Sequence, residues 1–266
     1  TFDDNFSYKN GTVVWSEMAY HPRWSFANYY VIKSFNIATK EKRTITTQSK
    51  YVGPDLTSDR KKIIAVNVNE QRKYQLHILD AFNGSVMSKI QDEGDIFWAY
   101  PKWIRDDQSI IAIATKNQKN ALVKVDPVTN QITELVPYTS NLMEHPYVGK
   151  EYVYFTSSFE GTDNVFAVSL KGGPVLQVTN ALVKASTAGL SSDGQQLIYT
   201  EQTSKGNELH MIKLSPNDWK KIRIVEPINQ DNIINQVAEA EGGNILDRDF
   251  NKNFSTKKYS KFDHFI

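Results

Sequence analysis

The sequence contains no cysteine among its 266 residues. That removes a disulfide framework, a thiolate metal site and a cysteine nucleophile together. It also lacks an excess charge of either sign, with 31 Lys and Arg against 30 Asp and Glu. Without a net field there is nothing to draw in a polyanion, so nucleic acid is not an expected partner. No apolar run approaches the ~20 residues a helix needs to cross a bilayer, so this segment is not expected to insert into a membrane. No basic-then-apolar leader opens the chain at Thr1, which reads as a processed or internal start. Glycine and proline are scarce, at 13 and 9 residues, too few for a low-complexity chain. What is present is a 40% hydrophobic and 12% aromatic composition, enough to build a core.

The positive signal is internal repetition, which takes precedence over strand assignment because a period of ~40–50 residues is that of a propeller. The clearest unit runs from Leu56-Thr57-Ser58-Asp59 into Ile63-Ile64-Ala65-Val66, then through a polar loop to Tyr74-Gln75-Leu76-His77-Ile78-Leu79-Asp80. The same grammar recurs from Trp103, 47 positions later, and from Leu190-Ser191-Ser192-Asp193-Gly194. A degenerate copy lies at Tyr147–Phe155 and a shorter one at Tyr8–Trp15, so five units can be counted. Each has a turn, a short apolar strand, a polar loop, an alternating strand, a second turn and a final alternating strand. The third strands begin at Val31, Leu76, Leu122, Val165 and Leu209, and Asn, Asp or Gly recur in the turns that follow several of them. Such turns need positive φ or a side-chain-to-backbone bond.

Four antiparallel strands per unit cannot bury both faces of a sheet, so successive units must stack face to face around an axis. The expected fold is an all-β propeller of four-stranded blades, five- or six-bladed, over residues 1–225. The segment 226–266 is expected to be a partly helical tail or linker leading to a further domain. Its pattern from Asn232 to Glu241 has helical spacing and stops at Gly242-Gly243.

The Ser192-Asp193-Gly194 turn before an apolar strand, and the outer strands Arg43-Thr44-Ile45-Thr46 and Leu176-Gln177-Val178-Thr179, resemble the repeats of TolB-type propellers. The resemblance covers about residues 6–225. A narrower likeness, in Val14-Trp15-Ser16-Glu17 with Pro22-Arg23-Trp24 and in the tail Ser255–Lys261, is to the TolB-like translocation proteins of Bacteroidetes. It implies the propeller segment of a longer envelope protein in the periplasm, associated with the outer membrane in its full-length form. Related repeats also occur in peptidases and polysaccharide-processing proteins, and fold does not settle activity.

Chemistry is sparse. No Gly-x-Ser-x-Gly elbow exists, and the five histidines do not form His-Glu-x-x-His. Ser191, Ser192 and Asp193 lie together, but in a blade turn, where bonding to the backbone accounts for them. His77 and His210 occupy equivalent third-strand positions and read as structural. Glu17 and Arg23 flank the first hairpin and are expected to pair across it, with Trp15 and Trp24 packing. Propellers bind through the loops entering their innermost strands. Asp55, Trp98, Tyr100, Lys102 and His145 are therefore the candidate binding residues, with Trp98 and Tyr100 at the surface and Trp103 in the core. No catalytic residue, metal or cofactor is assigned. The expected role is a non-catalytic protein-interaction or scaffolding module, with a protein partner or neighbouring domains of the same chain. The alternative is a substrate-binding or gating propeller of a multidomain peptidase or polysaccharide-processing enzyme.

Overall fold

A computed structural model describes residues 2–24, 28–91, 95–225, 236, 237, 239 and 240, with side chains from Phe6 onward. The chain divides into two units, Thr1–Glu226 and Pro227–Ile266. In the second, Gln236, Val237, Glu239 and Ala240 are helical and exposed. The rest of the expected tail helix and the basic run from Lys257 to Lys261 fall outside the described residues.

Among the described residues the first unit is all-β, apart from a single 3-10 turn, and consists of five antiparallel sheets in chain order. Blade one comprises β1 (Phe2–Lys9), β2 (Thr12–Tyr20), β3 (Asn28–Asn36) and β4 (Lys42–Thr44). Blade two comprises β5 (Tyr51–Leu56), β6 (Lys62–Val68), β7 (Tyr74–Asp80) and β8 (Val86–Lys89). Blade three comprises β9 (Phe97–Trp103), β10 (Ile110–Lys116), β11 (Lys119–Val125) and β12 (Ile132–Thr139). Blade four takes β13 (Met143–Val148), β14 (Tyr152–Ser157), β15 (Asn164–Ser169) and β16 (Leu176–Gln177), and blade five β17 (Lys184–Leu190), β18 (Gln196–Thr203) and β19 (Gly206–Lys213). The first strands of neighbouring blades pack on one another, which makes them the innermost. This is the β-propeller that the repeat predicts.

Strand alternation explains the stacking. In β6, Ile63 and Ala65 point to blade one, where they join Val14, Ile32 and Ile45. Ile64 and Val66 point the other way, to Trp98, Ile110 and Ala112 of blade three. Isoleucine, valine and alanine suit strands buried on both faces. The same arrangement repeats between blades three and four around Phe155 and Phe166, and between four and five around Tyr154 and Leu197.

The Ile-Thr and Val-Thr ends of the outer strands have a specific task. The amides of Ile45 and Thr46 both donate to the Ile32 carbonyl, while Thr46 Oγ1 accepts the Ile32 N–H at 2.9 Å. Blade four repeats this with Val178, Thr179 and Val165, again at 2.9 Å. The threonine completes hydrogen bonding where the outer strand curls off the sheet, so no buried amide is left unpaired.

Two details differ from the sequence reading. Glu17 pairs with Lys33, and at 3.8 Å with Lys42, instead of with Arg23. Across β2 and β3 Trp15 faces Lys33 and Glu17 faces Val31, so the nearest cation lies on the adjacent strand. Arg23 sits over the Trp24 ring at 5.0 Å, and Trp24 is exposed while Trp15 is buried. In unit five the segment after the 3-10 turn Pro216–Asp218 does not add a fourth strand to β19. It crosses instead to blade four, where β20 (Lys220–Lys221) pairs with β16. Trp219 explains the detour by seating edge-on against Tyr152 and Tyr154, at 5.2 and 6.0 Å. Ile222 and Ile224 then pack on the core between blades three and four.

One glycine tests the packing. Gly84 has φ +74°, and a Cβ there would lie 2.2 Å from the Ile45 carbonyl oxygen. Gly11 has φ +82° but open space around it. Gly84→Ala is expected to cost about 3 kcal/mol, strain plus overlap, and Gly11→Ala about 1 kcal/mol, in urea unfolding. Equal costs would contradict the close approach of the two blades.

Candidate functional site

The innermost strands share a feature that the sequence does not announce. Gly53, Tyr100, His145 and Thr187 all have positive φ, of 60°, 51°, 51° and 56°. Each sits in a register shift between the first and second strands of its blade. Each also lies three positions before the apolar residue that ends the strand: Leu56, Trp103, Val148 and Leu190. The bulge re-aims one side chain and admits an extra residue to the inner strand. A left-handed backbone at Tyr, His or Thr is uncommon, costing on the order of 1 kcal/mol, and needs surrounding structure to hold it.

Two of these bulge residues meet. The rings of Tyr100 and His145 are 5.3 Å apart and tilted by 58°, and both residues are half-buried. Beside Tyr100 opens a pocket of about 410 Å³ on the side where the innermost strands begin. Val52, Tyr74, Phe97, Leu142 and Met143 line it, with Glu144 as the acid. Phe97 is 44% and Leu142 56% exposed, and the Phe97 ring stacks on Tyr74 at 4.2 Å. Blades two, three and four all contribute, so the apolar surface is positioned by three sheets.

Asp55 and Lys102 separate from this pair. Asp55 is buried, with Oδ2 accepting the Trp103 N–H at 2.7 Å and Oδ1 3.9 Å from Lys102 Nζ. Asp55 thus joins the inner strands of blades two and three, a structural task. Trp98 is a correction. It is only 1% exposed and packs in the core between those blades, forming part of the pocket wall, while its neighbour Phe97 takes the exposed position. Strand alternation through Phe97 and Trp98 decides which ring faces out, and the larger one faces in. Trp103 lies in the core as expected, 2% exposed. Sequence reasoning missed Tyr74, Phe97, Leu142, Met143 and Glu144. Their signal was position, since each lies at or next to the start of a first or third strand.

Ser191 and Asp193 close their turn on themselves. Ser191 Oγ donates to Asp193 Oδ1 at 2.5 Å and accepts the Gln196 N–H at 3.0 Å. That hydroxyl bond holds the Asp193 carboxyl below its usual range. Among the described residues no group of three or more His, Asp or Glu is placed to hold a metal ion. No helix among them is long and apolar enough to cross a membrane.

No family model and no curated protein matches the sequence. Among solved structures, TolB from Acinetobacter baumannii superposes with a TM-score of 0.62 at 17% identity, over 79% of this chain and 51% of that one. A candidate TolB from Agrobacterium tumefaciens gives 0.60 at 13% identity, over 77% and 79% of the two chains. The fold is that of the TolB-like β-propellers. The chain spans about half the length of the Acinetobacter protein. The propeller domain of the Trilobed protease from Pyrococcus furiosus, a structure with an open velcro topology, gives 0.57 at 14% identity over 82% of this chain and 69% of that one. TolB-like propellers thus share their architecture with a protease domain, and the pocket has to speak for the role.

Two outcomes follow for this propeller. Trp98→Ala removes a fully buried ring and should destabilise by about 3–5 kcal/mol in urea unfolding, whereas Tyr100→Ala should cost less than about 2. The reverse order would return Trp98 to the surface. His77 is 4% exposed, and burial, reinforced by Lys89, pushes its pKa down to about 4. It is neutral in the fold, with Nδ1 2.9 Å from the Tyr51 hydroxyl and Nε2 3.0 Å from Gln75 Oε1. The unfolded chain therefore binds the extra proton, and stability is lost as pH falls from about 6.5 to about 4, by at most about 3 kcal/mol. His77→Gln should flatten that slope in urea midpoints measured across the window; an unchanged slope would refute the assignment.

Proposed function

We propose that this is a non-catalytic protein-interaction propeller of a cell-envelope protein. The periplasm is its proposed compartment, and residues 1–225 are its interaction domain. The observation that carries this reading is the apolar pocket at the start of the innermost strands. Phe97 and Leu142 form an exposed rim over Tyr74, Tyr100 and Met143, with one carboxylate, Glu144, beside them. Rigid aromatics around a small apolar depression suit an anchoring side chain from another protein, the arrangement that concentrates binding energy in a few contacts. Glu144 favours a partner segment carrying a cation next to its apolar anchor.

A second reading draws on the likeness to the Trilobed protease propeller. The same face would then receive a peptide or glycan and present it to a catalytic domain. The two readings differ in what binds. The test is capture of envelope proteins on the purified protein, followed by titration of the captured partner against wild type, Phe97→Ala and Tyr100→Ala. Each variant should weaken binding by roughly 10–30-fold, the size of a hot-spot truncation. Unchanged affinity would remove the pocket from the interface, and retention of glycan alone would favour the second reading.

A further inference from the structure

The chain itself shows how the outer edge of a blade can be covered. After blade five it crosses blade four as an added strand, with Lys220 opposite Gln177 and Lys221 opposite Leu176, and the Ile222 N–H donates to the Val175 carbonyl at 3.0 Å. Just before β20, Trp219 enters the seam between blades four and five against Tyr152 and Tyr154. Just after it, Ile222 and Ile224 pack on the seam between blades three and four. One short segment thus pairs with the edge and packs into the seams on both sides of it.

Blade two repeats this geometry. Lys62 and Ile64 hold the places of Tyr152 and Tyr154, since Lys62 pairs with Asp80 as Tyr152 pairs with Ser169. Beside Lys62, in the seam between blades two and three, lies a cleft of about 510 Å³, walled by Ile78, Met87, Trp103 and Val128. A smaller cleft, of about 260 Å³, lies in the seam between blades one and two, with Arg43 and Phe82 on its walls. β8 runs between the two clefts and has no outer partner among the described residues. Its Val86 and Met87 are 45% and 54% exposed, and Phe82 and Val128, one at each cleft, are 71% and 86% exposed. Lys89 is the counterpart of Gln177, because it faces His77 as Gln177 faces Phe166, and the next amide in each strand donates back to its sheet, Ile90 to Leu76 and Val178 to Val165. The alternation of an antiparallel ladder therefore turns the Lys89 N–H and carbonyl outward.

We propose that the outer edge of blade two docks an extended segment of a partner protein, which adds to β8 as a strand and places an aromatic side chain, with a lysine or arginine next to it, in the cleft between blades two and three. The aromatic residue takes the place that Trp219 has at blade four. The cation follows from the charges around the cleft, where Asp107 and Asp126 outnumber Lys62. Main-chain bonds to β8 supply affinity, and the side chains that enter the clefts supply selectivity. This cleft opens where the innermost strand β9 ends, at the opposite end of the blades from the Tyr100 pocket, so the proposal does not depend on that site.

The probe is a synthetic peptide with the sequence of Asp218–Ile224, whose tryptophan and lysines have the spacing that blade four accepts. It is titrated into the full chain labelled with nitrogen-15, and amide shifts read both where it binds and how tightly. Saturable shifts are expected at Val86, Met87, Ser88, Lys89 and Val128. Lys89→Pro removes an outward-facing N–H and obstructs strand addition, a change that an edge strand tolerates. Met87→Lys sets a cation on the cleft wall against those of the peptide. Each variant is expected to keep the rest of its spectrum and to weaken binding roughly tenfold or more. Shifts confined to Leu176 and Gln177 would mean that the peptide only replaces its own copy at blade four, and would overturn the proposal. So would the absence of binding, or full affinity in Lys89→Pro. The same shifts appearing on concentrating the chain without peptide would overturn it as well, because a second copy would then be the occupant.

Discussion

Everything in this propeller depends on one constraint: a strand of alternating residues has two faces, and a sheet of apolar strands must have a neighbour on each. β6 and β10 show the constraint at its strongest, with Ile63 to Val66 and Ile110 to Ala114 buried on both sides. At roughly 1.5–3 kcal/mol for each fully buried large aliphatic residue, interblade stacking outweighs every polar contact in the molecule. No blade is stable alone on this account, and the choice of Ile, Val, Ala and Phe follows from position in the stack.

Polar groups then fix the blades in register at small energetic cost. Asp55 accepts the Trp103 N–H, and Ser7 Oγ accepts the Leu56 N–H at 3.2 Å, the same amide of the repeat satisfied each time from the blade before. On the turn side Asp107 accepts the Ser58 N–H at 2.8 and 3.0 Å, reaching back from blade three to blade two. These bonds each contribute on the order of 1 kcal/mol, so they do not hold the stack together. They decide where along the strand direction it settles, because a slip would leave buried amides unpaired.

This division explains how much could be read from sequence. Third strands and their turns were legible because period, alternation and turn chemistry all act within one unit. The Ile-Thr and Val-Thr outer strands were legible as a pattern, although the hydrogen bonds that make the threonine useful appear only in the fold. The bulges at Gly53, Tyr100, His145 and Thr187 were not legible, since four different residue types occupy them. Trp98 was misassigned and Phe97 missed for a related reason: the bulge shifts alternation in β9, and adjacent aromatics cannot be sorted into core and rim without knowing where the shift falls. The lack of a fourth strand in blade five among the described residues was hidden because Ser215-Pro216-Asn217-Asp218 is a good turn; what redirects the chain is Trp219, whose partners lie in another blade.

The bulges also bear on where specificity resides. Backbone strain at an isolated Tyr or His would invite a functional explanation for the strain itself. Here the same conformation occurs at Gly53, where it is cheap, and at Thr187, which lies outside the pocket. The conformation therefore belongs to the propeller, as the way its inner strand curves around the axis. What the fold leaves free is the side chain mounted there. Tyr100 and His145 stand together because neighbouring blades bring the same repeat position side by side, so changing one residue alters the recognition surface while the scaffold keeps its geometry. A binding face built this way varies by side-chain identity at fixed backbone positions, which explains why a fold that is legible from its repeat can leave its partner unnamed.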